Sequence, residues 1–250
     1  MTTDLFRQDA YLRECSAHIT AVTDTGIVLD RTVFYPLGGG QAGDSGVLAL
    51  ADGTEIAIAD TRKGKDADGN PTSDIVHLPA PGQEERVARL TPGTAVTARI
   101  DWERRHRMMR LHTTSHLLCH VVPQLVNGCS ITPDYARLDF AMTDPLDKDQ
   151  LTAGIAALVA AAHPITVASI SDEELDANPG LVKSMSVQPP RGTGRIRTIR
   201  IGGDGGAPLV DLQPCGGTHV ANTAEIGAIV VTKIEKKSAT TRRVVLGFAQ

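Results

Sequence analysis

Aromatic side chains are scarce in this sequence of 250 residues, at 3% of the chain. Nucleic-acid binding that rests mainly on stacking of bases against aromatic rings is therefore not expected. No stretch approaches the roughly 18 uninterrupted apolar residues of a membrane-spanning helix. The first residues, MTTDLFRQDAYLREC, include early acidic residues and no apolar run typical of a secretory signal. The four cysteines are too few and too scattered for a disulfide scaffold, so we expect a cytoplasmic protein with reduced thiols.

The formal net charge is −4, so the chain as a whole is not coated with phosphate-binding cations. Three segments are nevertheless locally basic: 103–107 (ERRHR), 191–200 with four arginines, and 233–243 with five lysines or arginines. Such segments are typical both of solvated faces balanced by acids elsewhere and of a local patch that binds RNA. Charge alone does not decide between these two interpretations.

Residues 10 to 100 have the pattern of β structure. Short β-branched or alternating runs, such as 17–22, 26–29 and 55–58, are separated by clusters of Gly, Asp and Pro. Short strands at even spacing predict a small barrel or sandwich, with a polar hairpin or loop at 63–73.

After residue 100 the periodicity becomes helical. It predicts one helix from 102 to about 125, ended or kinked by Pro123, and a second from about 147 to 162. Strand-like runs follow at 165–170, 196–201, 226–234 and 243–248. Strands mixed with a few helices, without strict alternation, predict an α+β fold. We expect an N-terminal barrel-like domain over 1–101 and a C-terminal α+β domain over 102–250.

Two short motifs of the second domain contain metal-ligand side chains. In the predicted helix, His112 and His116 are one turn apart on the same face, so both imidazoles can reach one ion. In the segment CGGTH, two glycines permit a sharp turn that brings Cys215 and His219 together. Nitrogen and sulfur ligands suit zinc better than magnesium or calcium.

Spacing alone leaves the ligand set open. His120 lies one turn beyond His116, with Cys119 beside it, although His120 is rotated by roughly 80° from His112 around the helix. The number of ligands also has two interpretations. Four protein ligands are typical of a closed structural zinc site, whereas catalytic zinc usually keeps a position for water.

The two motifs, in this order, resemble the signature of the alanyl-tRNA synthetase editing domain and of its free-standing AlaX-type relatives. The segment TVFYPLGGGQ at 32–41 is similar to the glycine-rich motif of the β domain that precedes this editing domain, although Leu37 and Ala42 stand where the family has Glu and Pro. Further matches lie at 137–140, 225–227 and 242–244. The similarity runs from about residue 10 to the C-terminus, which indicates a free-standing editing protein of the medium-length form.

Membership of this family implies a zinc-dependent deacylase acting on alanine tRNA mischarged with serine and, in forms with the β domain, often with glycine. By matching position, one Zn²⁺ per chain would be held by His112, His116, Cys215 and His219. No Glu lies within 112–116, unlike in the HExxH proteases. The expected nucleophile is therefore a water that the zinc binds or positions.

Neighbouring residues are candidates for contacts with the substrate and with tRNA. The candidates for the substrate are Thr113, Thr114, Gly39, Gly40 and Gln41. The alternative for the threonines is hydrogen bonding to the preceding helical turn, and for the glycines a hairpin that needs positive φ. The candidates for tRNA phosphates are Arg104, Arg105, Arg107, Lys236, Lys237 and Arg242.

Two other functions stay open at this point. A non-catalytic tRNA-binding module with a closed structural zinc would explain four protein ligands equally well. An unrelated zinc hydrolase of small esters or amides would explain the metal motifs, but neither the basic segments nor the glycine-rich motif.

Overall fold

The computed structural model describes residues 1–189, 194–203 and 208–249. The chain forms two compact units, each with most of its residue–residue contacts inside itself. The first unit consists of Met1–Gly38 and Ala42–His106, and the second of Gly39–Gln41 and Arg107–Gln250. The division therefore falls at 106/107 rather than near residue 101. The segment Gly39–Gln41 groups with the second unit because Gln41 forms a parallel bridge with Ile131.

Most of the first unit is a closed barrel of six strands in the order β2-β3-β7-β6-β5-β8. Two further short strands, β1 and β4, pair in parallel. The elements are β1 (Thr3–Asp4), β2 (Glu14–Thr23), β3 (Gly26–Leu29), β4 (Arg31–Thr32), β5 (Gly46–Leu50), β6 (Glu55–Lys65), β7 (Pro71–Pro79), α1 (Glu84–Val87) and β8 (Ala95–Ile100).

Alternation of side chains along the strands explains the barrel interior. On β8, Val96, Ala98 and Ile100 are buried, while the residues between them face outward. The same alternation buries Ile56 and Ile58 on β6. The buried residues of this core are Ala17, Ile19, Ile27, Leu29, Val33, Phe34, Leu48, Ile56, Ile58, Leu90, Val96, Ala98 and Ile100.

A buried ion pair in the first unit contradicts one sequence-based prediction. Arg105 is fully buried, and its Nε lies 3.0 Å from both carboxylate oxygens of Asp44. Its remaining nitrogens donate to Val33 O at 2.7 Å and Ala10 O at 3.0 Å. The prediction that Arg105 contacts tRNA is therefore wrong, because a buried charge must be satisfied inside the protein.

The second unit combines two antiparallel sheets with helices, as the predicted α+β class requires. The sheets have the orders β14-β15-β10-β9 and β11-β12-β13. None of the helices in the described ranges combines the length and the hydropathy that a bilayer-spanning segment needs. The elements are α2 (Trp102–Val121), whose first residues belong to the first unit, β9 (Val126–Ile131), β10 (Tyr135–Ala141), α3 (Lys148–Ala160), β11 (Ile165–Ile170), α4 (Asp172–Ala177), β12 (Ile196–Gly202), β13 (Leu209–Pro214), β14 (Ile229–Ser238) and β15 (Thr241–Phe248).

The helix α2 places the histidine motif in the protein interior. It begins after Asp101, whose carboxylate accepts from Arg104 N–H at 3.0 Å, and it ends at Val121, two residues before Pro123. Its central turns are buried on nearly every side, and the fully buried positions are Met108, Met109, Leu111, Thr113, Thr114, Leu117 and Leu118. A helix buried all round is typical of the core of a domain.

Several element boundaries differ from the predicted ones. The helix α3 starts at Lys148, since Asp147 caps it by accepting from Gln150 N–H at 2.8 Å. The strand predicted from residue 226 begins at Ile229, because Thr223–Ile226 forms a 3-10 turn capped by Asn222. The strands β9, β10 and β13 are not expected from the sequence pattern. The strand at 165–170 is confirmed.

Candidate metal centre

Two elements of the second unit bring four potential ligands together. The helix α2 supplies His112 and His116, and the segment after β13 supplies Cys215 and His219. One ligand atom from each residue lies within 4.8 Å of all the others. Among the residues that the structure describes, no other group of three or more His, Cys, Asp or Glu side chains has this geometry.

The distances around the sulfur fit a metal centre. Cys215 Sγ lies 3.5 Å from His112 Nε2 and 3.3 Å from His219 Nε2. In a tetrahedral zinc site, with nitrogen at about 2.0–2.1 Å and sulfur at about 2.3 Å from the ion, the N···S separation is about 3.6 Å. The donor set of three nitrogens and one sulfur also suits zinc. The residues present therefore fit a zinc ion.

Hydrogen bonds away from the cluster orient all three imidazoles. His112 Nδ1 lies 2.7 Å from Gln41 Oε1, and His116 Nδ1 lies 2.8 Å from Asp211 Oδ2. His219 Nδ1 lies 3.2 Å from Thr113 Oγ1, which also accepts from the backbone N–H of Val220 at 3.3 Å.

Gln41 Oε1 and Asp211 Oδ2 can only accept, so they favour the tautomers of His112 and His116 that carry a proton on Nδ1 and present Nε2 to the metal, whereas the Thr113 hydroxyl can donate to His219 or accept from it. This arrangement is typical of metal-binding histidines.

Asp211 is itself held in place by further contacts. It is 2% exposed, and its second oxygen, Oδ1, accepts from Lys183 Nζ. Gln213 Nε2 donates to Asp211 Oδ2 at 2.8 Å. A buried carboxylate requires such partners. The carboxylate therefore has a fixed position from which to orient His116.

The electrostatics of the cluster favour a cation. Burial alone would raise the pKa of the Cys215 thiol, but interaction with the adjacent His112 lowers it well below its ordinary value. Burial lowers the pKa of His219 to about 3, so this imidazole is neutral. Although burial opposes it, the hydrogen bond to Asp211 raises the pKa of His116 to about 9. The negative charge favoured at Cys215 and Asp211 stabilises a positive charge in the cluster, and a bound metal ion can supply that charge.

Hydrogen bonds from the side chain of Arg197 hold the turn that carries Cys215 and His219. Arg197 donates from one nitrogen to Cys215 O at 2.6 Å and to Gly217 O at 3.0 Å. At Gly217 a Cβ atom would lie 2.2 Å from His112 Cε1, so a side chain does not fit there. Gly217 is thus required by the close approach to His112, whereas the sequence suggested only that it permits a sharp turn.

The predicted substrate-contact residues have other partners in the structure. Thr113 holds His219, and Thr114 donates to Arg110 O at 2.8 Å, which is the hydrogen bond to the preceding turn considered as the alternative. Gly39 and Gly40 have φ of 59° and 86°, so they adopt the conformation that favours glycine. Thr114 is fully buried, and its proposed role in substrate contact is not supported.

The alternative ligands lie outside the cluster. His120 is exposed, and its Nδ1 bonds to Val210 O at 2.7 Å. Cys119 is buried, and burial raises the pKa of its thiol to about 12, which keeps it protonated. A protonated thiol is a poor metal ligand.

The candidate tRNA contacts divide by exposure. Arg242 is 8% exposed, and it donates to the carbonyls of Ser238, Thr241 and Thr143, so its prediction as a tRNA contact is wrong. Lys236 and Lys237 on β14 are exposed.

The other basic positions are partly engaged within the protein. Arg107 donates to Pro133 O at 2.8 Å and lies 4.2 Å from the centre of the Phe248 ring. Arg104 is partly buried and donates to Gly43 O at 3.3 Å. Arg191, in the second basic segment, lies outside the described residues.

Sequence reasoning missed the residues that support the ligands. Asp211 could have been recognised from the sequence, because it lies between Val210 and Leu212 in a strand-like run, and a buried Asp is almost always paired with another group. Lys183 and Arg197 carried no such signal, because their roles depend on contacts distant in sequence.

Comparison with known proteins identifies the family. A family model described as the threonyl and alanyl tRNA synthetase second additional domain matches residues 196–245, and a model described as tRNA synthetases class II (A) matches residues 6–104. The chain is 30% identical over 248 residues to an alanyl-tRNA editing protein AlaX-M of Saccharolobus solfataricus, covering 98% of each chain. The chain belongs to the AlaX-M family.

Other relatives agree with this assignment. The AlaX-M protein of Methanosarcina acetivorans is 31% identical over 252 residues, which cover 97% of each chain. An alanine–tRNA ligase of Metallosphaera sedula is 34% identical over 244 residues, which cover 94% of this chain and 25% of the ligase. The resemblance to free-standing AlaX-type editing proteins is thus confirmed.

We expect Asp211→Asn to weaken zinc binding by about 10- to 100-fold, because His116 would then lack a charged acceptor. The measurement is competition for zinc between the full-length protein and a chromophoric chelator. Asp139→Asn is the matched control: Asp139 is also ion-paired, with Arg243 at 2.6 Å and 2.8 Å, but it contacts no ligand. Equal zinc affinities of the two variants would contradict a role for Asp211 at the metal centre.

Proposed function

We propose that this chain is a zinc-dependent aminoacyl-tRNA deacylase that hydrolyses the ester of mischarged alanine tRNA. One Zn²⁺ per chain would be held by His112, His116, Cys215 and His219. The observation that carries the proposal is the convergence of three buried imidazoles on the sulfur of Cys215, with ligand atoms that all lie within 4.8 Å of one another. Membership of the AlaX-M family supports the substrate, since its members bear the name alanyl-tRNA editing protein.

The roles of the chain's own residues follow from their contacts. Bound zinc would supply Lewis acidity toward the ester, or hold the substrate so that its carbonyl faces a water. Gln41, Thr113 and Asp211 keep the three imidazoles in fixed orientations, which avoids reorganisation during the reaction. Asp211 is occupied by His116 and Lys183, so it is not free to take a proton from water.

Mischarging with serine and glycine follows from the physics of an alanine pocket. A pocket sized for alanine excludes serine only weakly, because serine adds a single hydroxyl, and it cannot exclude the smaller glycine. A second hydrolytic site corrects both errors. We therefore propose seryl-tRNA as a substrate, and glycyl-tRNA as well, on tRNA with the alanine acceptor stem.

The cellular setting and the tRNA surface belong to the same proposal. The four cysteines are free, which suits a reducing cytoplasm. The exposed Lys236 and Lys237 are the best candidates for contacts with tRNA phosphates, and the partly buried Arg104 and Arg107 are weaker ones.

A tRNA-binding module with a structural zinc is the alternative function. Four protein ligands favour it, since they complete a tetrahedral shell without water. The two functions differ in one outcome: only the deacylase hydrolyses mischarged tRNA.

We expect Cys215→Ala to reduce hydrolysis of seryl-tRNA by roughly 100-fold or more, because several kcal/mol of charge stabilisation at the metal would disappear. Binding of tRNA should remain, since exposed cations away from the cluster provide it. The measurement is the release of amino acid from seryl-, glycyl- and alanyl-tRNA carrying the alanine acceptor stem.

Cys119→Ala is the control for this experiment. Cys119 lies buried on the same helix as the histidines but outside the cluster, so its replacement should lower stability slightly and leave hydrolysis unchanged. If Cys215→Ala hydrolyses at the wild-type rate, the ligand set is wrong. If the wild-type protein hydrolyses none of the three substrates, the structural-zinc function replaces the deacylase.

We expect Lys236→Glu and Lys237→Glu each to weaken tRNA binding and to make its salt dependence shallower, by about one unit of slope for each phosphate that the protein no longer neutralises. The measurement is tRNA affinity across a series of salt concentrations. Lys148→Glu is the control, because Lys148 is also exposed but lies at the start of α3. If the salt dependence of tRNA affinity is unchanged in both β14 variants, Lys236 and Lys237 do not contact tRNA phosphates.

A further inference from the structure

The glycine-rich segment ends in a side chain that lies within the metal centre. Gln41 is fully buried, although its amide is polar. The segment reaches this position by running beside β9, where Ile131 N–H donates to Gly40 O at 2.8 Å. Gly40 has φ of 86°, and an added Cβ atom would lie 2.3 Å from Cys129 Sγ and 3.1 Å from Cys129 O, so this position beside β9 favours glycine. The glycines therefore allow Gln41 to approach the cluster.

The amide of Gln41 connects the two halves of the ligand set. Its Oε1 accepts from His112 Nδ1 at 2.7 Å and from the backbone N–H of Thr218 at 3.1 Å. Its Nε2 donates to Thr218 Oγ1 at 2.8 Å. One side chain thus contacts a ligand on the helix and the residue next to a ligand on the loop.

The orientation of this amide determines the tautomer of His112. The backbone N–H of Thr218 can only donate, so the amide atom that faces it must be the oxygen. His112 Nδ1 faces the same oxygen, which cannot donate, and must therefore carry the ring proton. His112 Nε2 is left unprotonated, 3.5 Å from Cys215 Sγ.

We propose that Gln41 is a positioning residue of the metal centre: its amide fixes the tautomer of His112 and holds the loop that carries Cys215 and His219 against that imidazole. This assigns the glycine-rich segment to assembly of the zinc site rather than to contact with the substrate. The inference deepens the proposed function and rests on it only for the presence of a metal. Its test therefore uses metal binding, which is measured without tRNA.

Three variants of the full-length protein separate the contacts of the amide. Gln41→Met keeps the shape of the side chain but removes the acceptor, and we expect cobalt(II) binding to weaken by about 10- to 100-fold. Gln41→Glu keeps an acceptor for His112 and for Thr218 N–H, and should restore binding to within a few-fold of wild type. Thr218→Val removes only the bond to Gln41 Nε2 and should also bind nearly as the wild type does.

The experiment titrates metal-free protein with cobalt(II) and follows the sulfur-to-cobalt charge-transfer band and the ligand-field bands. In the Met variant we expect an altered ligand-field spectrum as well as weaker binding, since His112 would be misoriented. Gln41→Met with wild-type affinity and spectrum overturns the proposal. So does an equal loss of affinity in the Glu and Met variants, because the amide would then serve only to fill space.

A measurement on the unmodified protein keeps the test decisive if Gln41→Met does not fold. In ¹⁵N-labelled metal-free protein, the ring-nitrogen chemical shifts of His112 should show the proton on Nδ1, and a proton on Nε2 alone would overturn the inference.

The positioning role of Gln41 and the deacylase function can be refuted independently of each other. Wild-type protein that binds cobalt in a Gln41-dependent way but hydrolyses no mischarged tRNA would refute only the deacylase function.

Discussion

A buried imidazole can bind a metal through one nitrogen only if its other nitrogen finds a partner inside the protein. In this chain the constraint is met three times by three different chemical groups: the amide of Gln41, the carboxylate of Asp211 and the hydroxyl of Thr113. These partners come from the glycine-rich segment, from β13 and from α2 itself. The metal centre therefore depends on parts of the chain that are far apart in sequence.

This constraint also explains features that otherwise have no common cause. The central turns of α2 are buried on nearly all sides, so His112 and His116 lie away from water. The hydroxyls of Thr113 and Thr114 on the same turns form hydrogen bonds within the protein. Gly217 has no side chain because the imidazole of His112 occupies that space. Lys183 forms an ion pair with Asp211, a buried carboxylate whose other partners are His116 and Gln213.

The sequence predicted the parts of this arrangement that depend on local patterns. The pair His112 and His116 was recognisable because helical spacing fixes their relation, and the alternating run at 55–58 predicted the strand that is the start of β6. The partners of the imidazoles were not recognisable, since nothing in the spacing of Gln41 or Asp211 indicates which histidine each would meet. Arg105 shows the opposite failure: its basic neighbours suggested a surface, but its charge is paired with Asp44 in the interior.

The most direct test of the account is X-ray absorption at the zinc edge of the full-length protein, purified without chelator, together with its metal content. We expect one zinc per chain with a shell of three nitrogens at about 2.0–2.1 Å and one sulfur at about 2.3 Å. Disappearance of the sulfur shell in Cys215→Ala would complete the assignment. A folded protein without zinc, or a zinc shell that contains no sulfur, would contradict it.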